Sequence, residues 1–444
     1  MGYNAHGFLF FISYFLFLIK GDSMRIRDFH RNIKIRLVVF LFFGTVQFTT
    51  IPFMAIYFDQ HFGMVLTGIL LSISTIFSLV SGAVGGFYAD RVGRKRLMVV
   101  SEAIFFLAYF AMAIANSPFL TSPLTTLIGF MITNICFGMY GPADEAMLLD
   151  VTPVEQRSMM YGLFYWLNNL TIAIGSSIGA IFFEADRFAL FLIMSVVVLA
   201  TMLITIFAIA ETHHPERSSK QQSQHVLIDM MKHYVDVLKD RTFILYFLAG
   251  MFVMAVEFQL TNGIAIHLAK TVKAQPLLSF LPMTWRVDGI SLVGFLQTEN
   301  TIIVVLLATL AMRINRILDE KWILLIGIAM NVIGYSIMTV SASPLLLFLV
   351  MAMATLGEVT SVPTRQAMLG DLTPEHARSS YVAVNGMGFG LARVIASVGV
   401  SLNAVLSDSM LAVLSLALGF IGLILYLRIL PTVQARRIQN AKQA

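Results

Sequence analysis

PADEAMLLDVTPVEQRS, residues 142–158, returns as PTRQAMLGDLTPEHARS at residues 363–379, with nine of seventeen positions identical at a constant offset of 221. Each copy follows one long apolar run and precedes another, so each sits where a hydrophobic segment closes and the next opens. Pro, Ala, Met, Leu, Asp, Thr, Pro, Arg and Ser are shared, while Asp144 and Glu145 become Arg365 and Gln366. A chain that repeats a segment junction at half its length is built of two like halves of equal polarity.

Composition says what the halves are made of. The 444 residues are 58% hydrophobic and 12% charged, about half the charged fraction of a soluble domain. A helix needs about 20 apolar residues to cross a bilayer core, and twelve runs of that kind fall at 35–57, 65–88, 97–116, 124–149, 158–183, 188–210, 242–268, 292–312, 322–342, 345–370, 378–405 and 408–428. The expected fold is an all-α integral membrane protein of 12 transmembrane helices in two pseudo-symmetric six-helix halves, 24–210 and 242–430, joined by a linker at 211–241 and ending in a tail at 431–444. The first copy of the repeat joins segments four and five; the second joins ten and eleven.

Lys and Arg fix the orientation. Twenty-three fall on one side of the segments and four on the other, which places both termini in the cytoplasm. The same distribution explains the net charge of +5 without a nucleic-acid partner. The linker opens as a polar stretch and then carries Val226, Leu227, Met230, Met231, Tyr234, Val235 and Leu238 at helical spacing, the pattern of a surface helix. Residues 277–285, LLSFLPMTW, are apolar enough to lie in the membrane interface. Residues 7–19 are too short and too poorly flanked for a span or a cleaved signal. Lys20-Gly21-Asp22-Ser23 ahead of Met24 can be encoded as a bacterial ribosome-binding sequence, so residues 1–23 are read as a mis-assigned extension with Met24 as the start; a genuine amphiphilic extension is the alternative.

Several function classes are excluded on residue types. The single cysteine, Cys136, lies in an apolar run, and no His or Cys spacing suits a metal. No nucleophile-base pair and no phosphate-cradling glycine loop is legible. The chain is therefore read as no enzyme, with no cofactor, its energy drawn from an ion gradient.

Between segments two and three stands GGFYADRVGRKRLMVV, residues 85–100. It resembles the signature of the major facilitator superfamily, with Gly86, Asp90, Arg91, Gly93, Arg94 and Lys95 in register. The stretches YFDQHFGMVLTGILLSISTIFSLVSGAVGGFYADRVGRKRLMVV, TLGEVTSVPT and RIRDFHRNIKIRLVVF are similar to the LmrP type of multidrug efflux protein, and the likeness runs from Met24 onward. The resemblance implies a monomeric, multi-pass transporter of the plasma membrane, surrounded by lipids. It implies export of lipophilic or cationic compounds by drug:proton antiport through alternating access, with antibiotic resistance as the phenotype. A lipid or glycolipid flippase on the same fold is the second reading, and a membrane-embedded enzyme or sensor the third.

Acids inside spans are costly and so point to function. Glu358, in the tenth segment, matches the acid of the LmrP type in that helix. Glu257, in the seventh, lies one turn before Thr261, where the family carries an aspartate. Together they are the expected proton-coupling and substrate groups, since a carboxylate that takes either a proton or a cation performs exchange. A second departure is Phe164, standing where the family has an aspartate ahead of Tyr165-Trp166. Gln47, Tyr165, Trp166 and Asn169 are candidate cavity-lining residues, and IGSSIGA, 174–180, offers small residues for close helix packing. Glu102 and Arg393 are expected to pair with polar groups nearer a membrane face.

The conformational gate is expected in two places. In the family the signature aspartate, here Asp90, meets the N-terminal end of helix eleven in the outward-facing state, and Asp150 matches an acid that would engage Arg94 or Arg91. The repeat adds its own candidate: Asp144 and Arg365 occupy equivalent positions with opposite charge, so they are expected to meet across the halves.

Overall fold

A segment in hydrocarbon must satisfy its own N–H and C=O groups, which leaves helices as the solution for runs of this length. A computed structural model describes residues 28–212, 237–276, 286–374 and 378–443. The expected extension at 1–23, the amphipathic stretch of the linker up to residue 236 and the apolar segment 277–285 lie outside the described residues.

The first half comprises α1 (Arg31–Phe62), α2 (Met64–Val92), α3 (Arg94–Ile114), α4 (Pro123–Asp150), α5 (Val154–Phe182) and α6 (Arg187–Ala208), with a short antiparallel hairpin, β1 (Asn116–Ser117) and β2 (Leu120–Thr121), before α4. The seventh segment, first of the second half, is split: α7 (Arg241–Glu257), a 3-10 turn (Phe258–Thr261) and α8 (Gly263–Thr271). A second hairpin, β3 (Gln275–Pro276) with β4 (Arg286–Val287), leads to α9 (Gly289–Ile317), α10 (Glu320–Met338), α11 (Pro344–Leu372), α12 (Arg378–Leu402) and α13 (Asp408–Gln443). Eleven of these segments are long and apolar enough to cross a membrane by composition. The twelfth is α5, whose 29 residues reach roughly 44 Å at 1.5 Å per residue but carry Asn168, Asn169, Ser176 and Ser177.

Two boundaries differ from the hydropathy reading. Helix α1 starts four residues before residue 35 and draws Arg36 into the fold, where its side chain is fully buried. Helix α13 continues to Gln443, so the tail expected at 431–444 is helical through that residue. Two sharp turns have the residue they require: Gly63, between α1 and α2, has φ 77°, and Gly93 of the signature loop has φ 104°, a region that a side chain disfavours.

Within the first half α1 packs on α5, α2 on α4, and α3 on α6; in the second, α10 packs on α11, α7 on α13, and α9 on α11. The halves meet through α5 with α9 and α2 with α12. The start of α1 and the end of α13 lie on one face, here the basic face; the opposite one is the far face. Near the far face both halves share one apolar core, including Phe53 and Phe183 from the first and Leu268, Leu292 and Leu296 from the second. Toward the basic face the cores separate: Phe29, Ile33, Leu148, Met160 and Leu163 form one, while Phe243, Tyr246, Met368, Tyr381 and Tyr426 belong to another.

The links described between the halves follow the same division. Ser176 Oγ donates to Gln297 Oε1 at 2.6 Å, Ser177 Oγ lies 2.8 Å from Thr298 Oγ1, and Ser401 Oγ donates to the Val65 carbonyl at 2.9 Å. Gly68 and Gly294 make the approach possible, since a Cβ at Gly68 would sit 2.6 Å from the Ser401 nitrogen and one at Gly294 would strike the Ser176 carbonyl. Among the described residues, these polar links between the halves gather toward the far end and the apolar clusters toward the basic end are separate, the pattern of a wedge that parts toward its basic end.

Candidate functional site

The break in the seventh segment positions the first acid. Helix α7 ends at Glu257, and the backbone groups released at the 3-10 turn are taken by side chains: Asn262 Nδ2 donates to the Phe258 carbonyl at 2.8 Å, and Gln259 Oε1 accepts from Gly263 N at 3.3 Å. Glu257 therefore stands at a helix C-terminus, whose partial negative charge repels an anion and favours a cation. On α11, Glu358 Oε2 accepts from Asn300 Nδ2 of α9 at 2.9 Å, and the same amide donates to Thr355 Oγ1 at 3.0 Å. Glu257 and Glu358 lie within direct electrostatic reach of each other and of Arg365. Tyr335 of α10 faces both carboxylates, and Tyr165 of α5 faces Glu358 from the other half. The result is a cluster of two acids, an amide and hydroxyls at mid-helix depth, with Tyr165 approaching from the first half.

Asp144 and Arg365 are not together in this arrangement. Asp144 Oδ1 pairs with Arg36 Nε at 2.6 Å inside its own half. Arg36 Nη1 also donates to Tyr140 Oη at 2.5 Å, Tyr140 donates to Glu102 Oε1 at 3.1 Å, and Thr205 Oγ1 donates to the same oxygen at 3.1 Å. Four helices thus converge on a polar knot, which supplies the polar partners of Glu102. Arg365 has a parallel setting: Tyr246 Oη donates to its carbonyl at 2.9 Å, and Tyr426 lies against its guanidinium. Tyr426 stands 221 residues after Thr205, the same offset that relates Arg365 to Asp144. The repeat therefore holds beyond the junction itself, with the charges altered.

The signature loop is tied within the first half. Arg94 pairs with Asp150 and donates to the Ala146 carbonyl at 2.8 Å, while Asp90, 67% exposed, lies 3.8 Å from Arg94. Arg91 stacks on Phe87 at 3.9 Å. Glu211, just past α6, accepts from the backbone N–H groups of Arg94 and Lys95 at 3.0 and 3.2 Å, capping α3. In the second half the corresponding helix start is acidic, Glu320, and α13 supplies the cation: Arg437 pairs with both Glu320 at 2.7 Å and Asp371 at 2.6 Å. Its neighbour Arg436 pairs with Asp240 at 2.9 Å.

Of the other predicted residues, Tyr165 is exposed beside Glu358 and Trp166 is half-buried. Gln47 and Asn169 are buried, and Asn169 donates to the Tyr165 carbonyl at 2.9 Å. The helix-packing role of IGSSIGA is visible at Gly175 and Gly179, which lie against the Thr45 and Thr49 carbonyls of α1. Arg393 rests over the rings of Phe258 and Phe389, at 5.3 and 5.1 Å, rather than on a polar group nearer a membrane face. Sequence reasoning did not single out Arg36, Tyr140 or Asn300. Their only local signal is a polar side chain within an apolar run. Among the described residues no group of three His, Cys, Asp or Glu side chains is placed to hold a metal ion.

With this geometry in view, comparison with known proteins is informative. The pattern of the Major Facilitator Superfamily matches residues 37–285 and 275–443. The chain is 34% identical over 387 residues to a Na(+), Li(+), K(+)/H(+) antiporter of Planococcus maritimus, spanning 86% of this chain and 91% of that one. It is 21% identical over 362 residues to the multidrug resistance protein MdtH of Proteus mirabilis, spanning 79% and 82%. Among solved structures, a POT family transporter in complex with 5-aminolevulinic acid superposes with TM-score 0.71 at 15% identity, covering 91% of this chain and 96% of that one.

Proposed function

From the premise that the chain belongs to the major facilitator superfamily, and so is a multi-pass membrane transporter and not an enzyme, we propose that it is a proton-coupled antiporter that exchanges a cation for protons at Glu257 and Glu358. One observation carries this: two carboxylates from α7 and α11 lie within electrostatic reach of each other, Asn300 holding one of them and a helix C-terminus disfavouring charge on the other. Two adjacent anions in a low dielectric repel, and either a proton or a cation relieves them. Loading of one then expels the other, which is exchange without an ATP site or a cofactor. The 34% identical antiporter supports an alkali cation as the exchanged species.

With the basic face in the cytoplasm, as the distribution of Lys and Arg requires, the wedge is open to the cytoplasm and sealed outside. Cation binding from the cytoplasm, closure at the basic end and release outside complete an export cycle.

Export of lipophilic cations is the second reading. It is favoured by Tyr165 at the border of the same acids, where an aromatic face suits an organic cation, and by the likeness to MdtH. Inverted membrane vesicles energised by a proton gradient separate the readings. Alkali exchange is expected to appear as collapse of the gradient on adding Na+, Li+ or K+, and to vanish in Glu358→Gln. Ethidium uptake in place of that collapse supports the second reading, and lipid translocation with neither supports a flippase.

A further inference from the structure

We propose that the first half carries its own proton site, Glu102, linked through Arg36 to Asp144 at the cavity wall. The inference rests on the antiport reading above but concerns residues that the reading does not use.

Glu102 of α3 is fully buried. Tyr140 of α4 and Thr205 of α6 donate to its Oε1, and its Oε2 is buried with no hydrogen-bond partner among the described residues. The charged groups facing it are Arg36 from α1 and Asp144 from α4. Arg36 is engaged by Asp144 at 2.6 Å and reaches Glu102 only through the Tyr140 hydroxyl. One cation thus stands against two carboxyl groups in a buried site, where an uncompensated anion is strongly disfavoured. The proton that neutralises the set resides on Glu102, because Asp144 holds the guanidinium.

Asp144 keeps 13% of its side chain exposed, against 1% for Arg36. A second cation arriving at Asp144, either a substrate or Arg365 on closure of the basic end, relieves Asp144 of its need for Arg36. Arg36 then serves Glu102 through Tyr140, and the Glu102 proton leaves to the cavity water. The set holds either one proton at Glu102 or one extra cation at Asp144. That is a second exchange element, separate from the Glu257 and Glu358 cluster.

Infrared spectra of the full-length protein in lipid vesicles at neutral pH test the assignment without requiring transport. Wild type minus Glu102→Gln is expected to show the carbonyl stretch of one protonated, water-shielded carboxyl group. Asp144→Asn is expected to lose the same band although Glu102 is present, because Arg36 is then free to neutralise it. Retention of the band in Asp144→Asn, or its absence from the wild type minus Glu102→Gln difference, overturns the proposal. Should Asp144→Asn not fold, the Glu102→Gln difference still decides. In vesicles, Glu102→Gln is expected to move fewer protons per cation; an unchanged ratio overturns the role in exchange. Absence of any cation exchange by wild type defeats the antiport reading while leaving the infrared result intact.

Discussion

Lys270 Nζ lies 2.7 Å from Asp59 Oδ2, joining α8 of the second half to the end of α1 in the first, on the far face. Asp59 keeps only 5% of its side chain exposed whereas Lys270 keeps 49%, so the pair is half-screened by solvent and worth on the order of 1 kcal/mol. Its removal acts on the balance between states, because the contact exists only while the far end is shut. Asp59→Asn is expected to raise the population open on the far face roughly fivefold. Distances between spin labels placed across the far-face ends of α1 and α8 measure this; an unaltered distribution shows the pair to be incidental.

The bond from Asn300 to Glu358 makes a graded prediction at the acid cluster. Glu358→Gln removes the titrating group, and gradient collapse by cations is expected to be lost altogether. Asn300→Ala leaves the carboxylate without its donor, and a hydrogen bond to a charged group contributes about 1.5–3 kcal/mol. Cation KM is accordingly expected to rise by roughly tenfold or more, with turnover less affected. Equal loss in both variants would mean that Asn300 positions the helices rather than the acid. Glu257→Gln is expected to retain binding and change the number of protons moved.

The sequence made some of this plain and hid the rest for a physical reason. Hydropathy and the offset of 221 between repeats suffice for two six-helix halves, because burial in lipid is a local property of each segment. The turn at Gly93 was legible for the same reason, its φ of 104° being a demand that one residue meets alone. Glu358 was legible as an acid deep in an apolar run. Its partner Asn300, 58 positions away, was not. Arg36 shows the limit best: at the edge of an apolar run it reads as a topology charge, and only the approach of Asp144 from α4 turns it into a buried ion pair. Pairings across helices depend on packing, which no period in the sequence encodes.

Asp240 offers a test of how the second half is fastened. Its carboxylate caps α7 through Thr242 N and Phe243 N, at 3.0 and 3.2 Å, and pairs with Arg436. Burial alone would raise its pKa, but the Arg436 guanidinium, the Phe243 N–H and the Tyr381 hydroxyl together hold it below the ordinary aspartate value. A depressed folded-state value stabilises the fold above the unfolded value of about 3.9, and that contribution is lost as pH falls through the folded value. The melting temperature of wild type is therefore expected to exceed that of Asp240→Asn at neutral pH, with the gap closing toward pH 3. A constant gap across that window would assign the effect to packing.

The separation of Asp144 from Arg365 calls for a test that does not set a second cation against Arg36. Charge reversal at residue 144 would place a cation against the buried Arg36 guanidinium, so failure of a reversed pair to restore transport would say little about the gate. Cross-linking avoids this. In a Cys136→Ala background, Asp144→Cys with Arg365→Cys is expected to form a disulfide slowly, since the two residues sit in different halves of a wedge parted at this end. Adding Asp59→Asn, which releases the far face, is expected to speed that cross-link severalfold if α4 and α11 approach when the basic end closes. Gel mobility after mild oxidation gives the rate. A cross-link rate indifferent to Asp59→Asn would leave Asp144 and Arg365 as independent anchors of their own halves, each held where the repeat put it, and would place the inner gate elsewhere along the α4 and α11 helices.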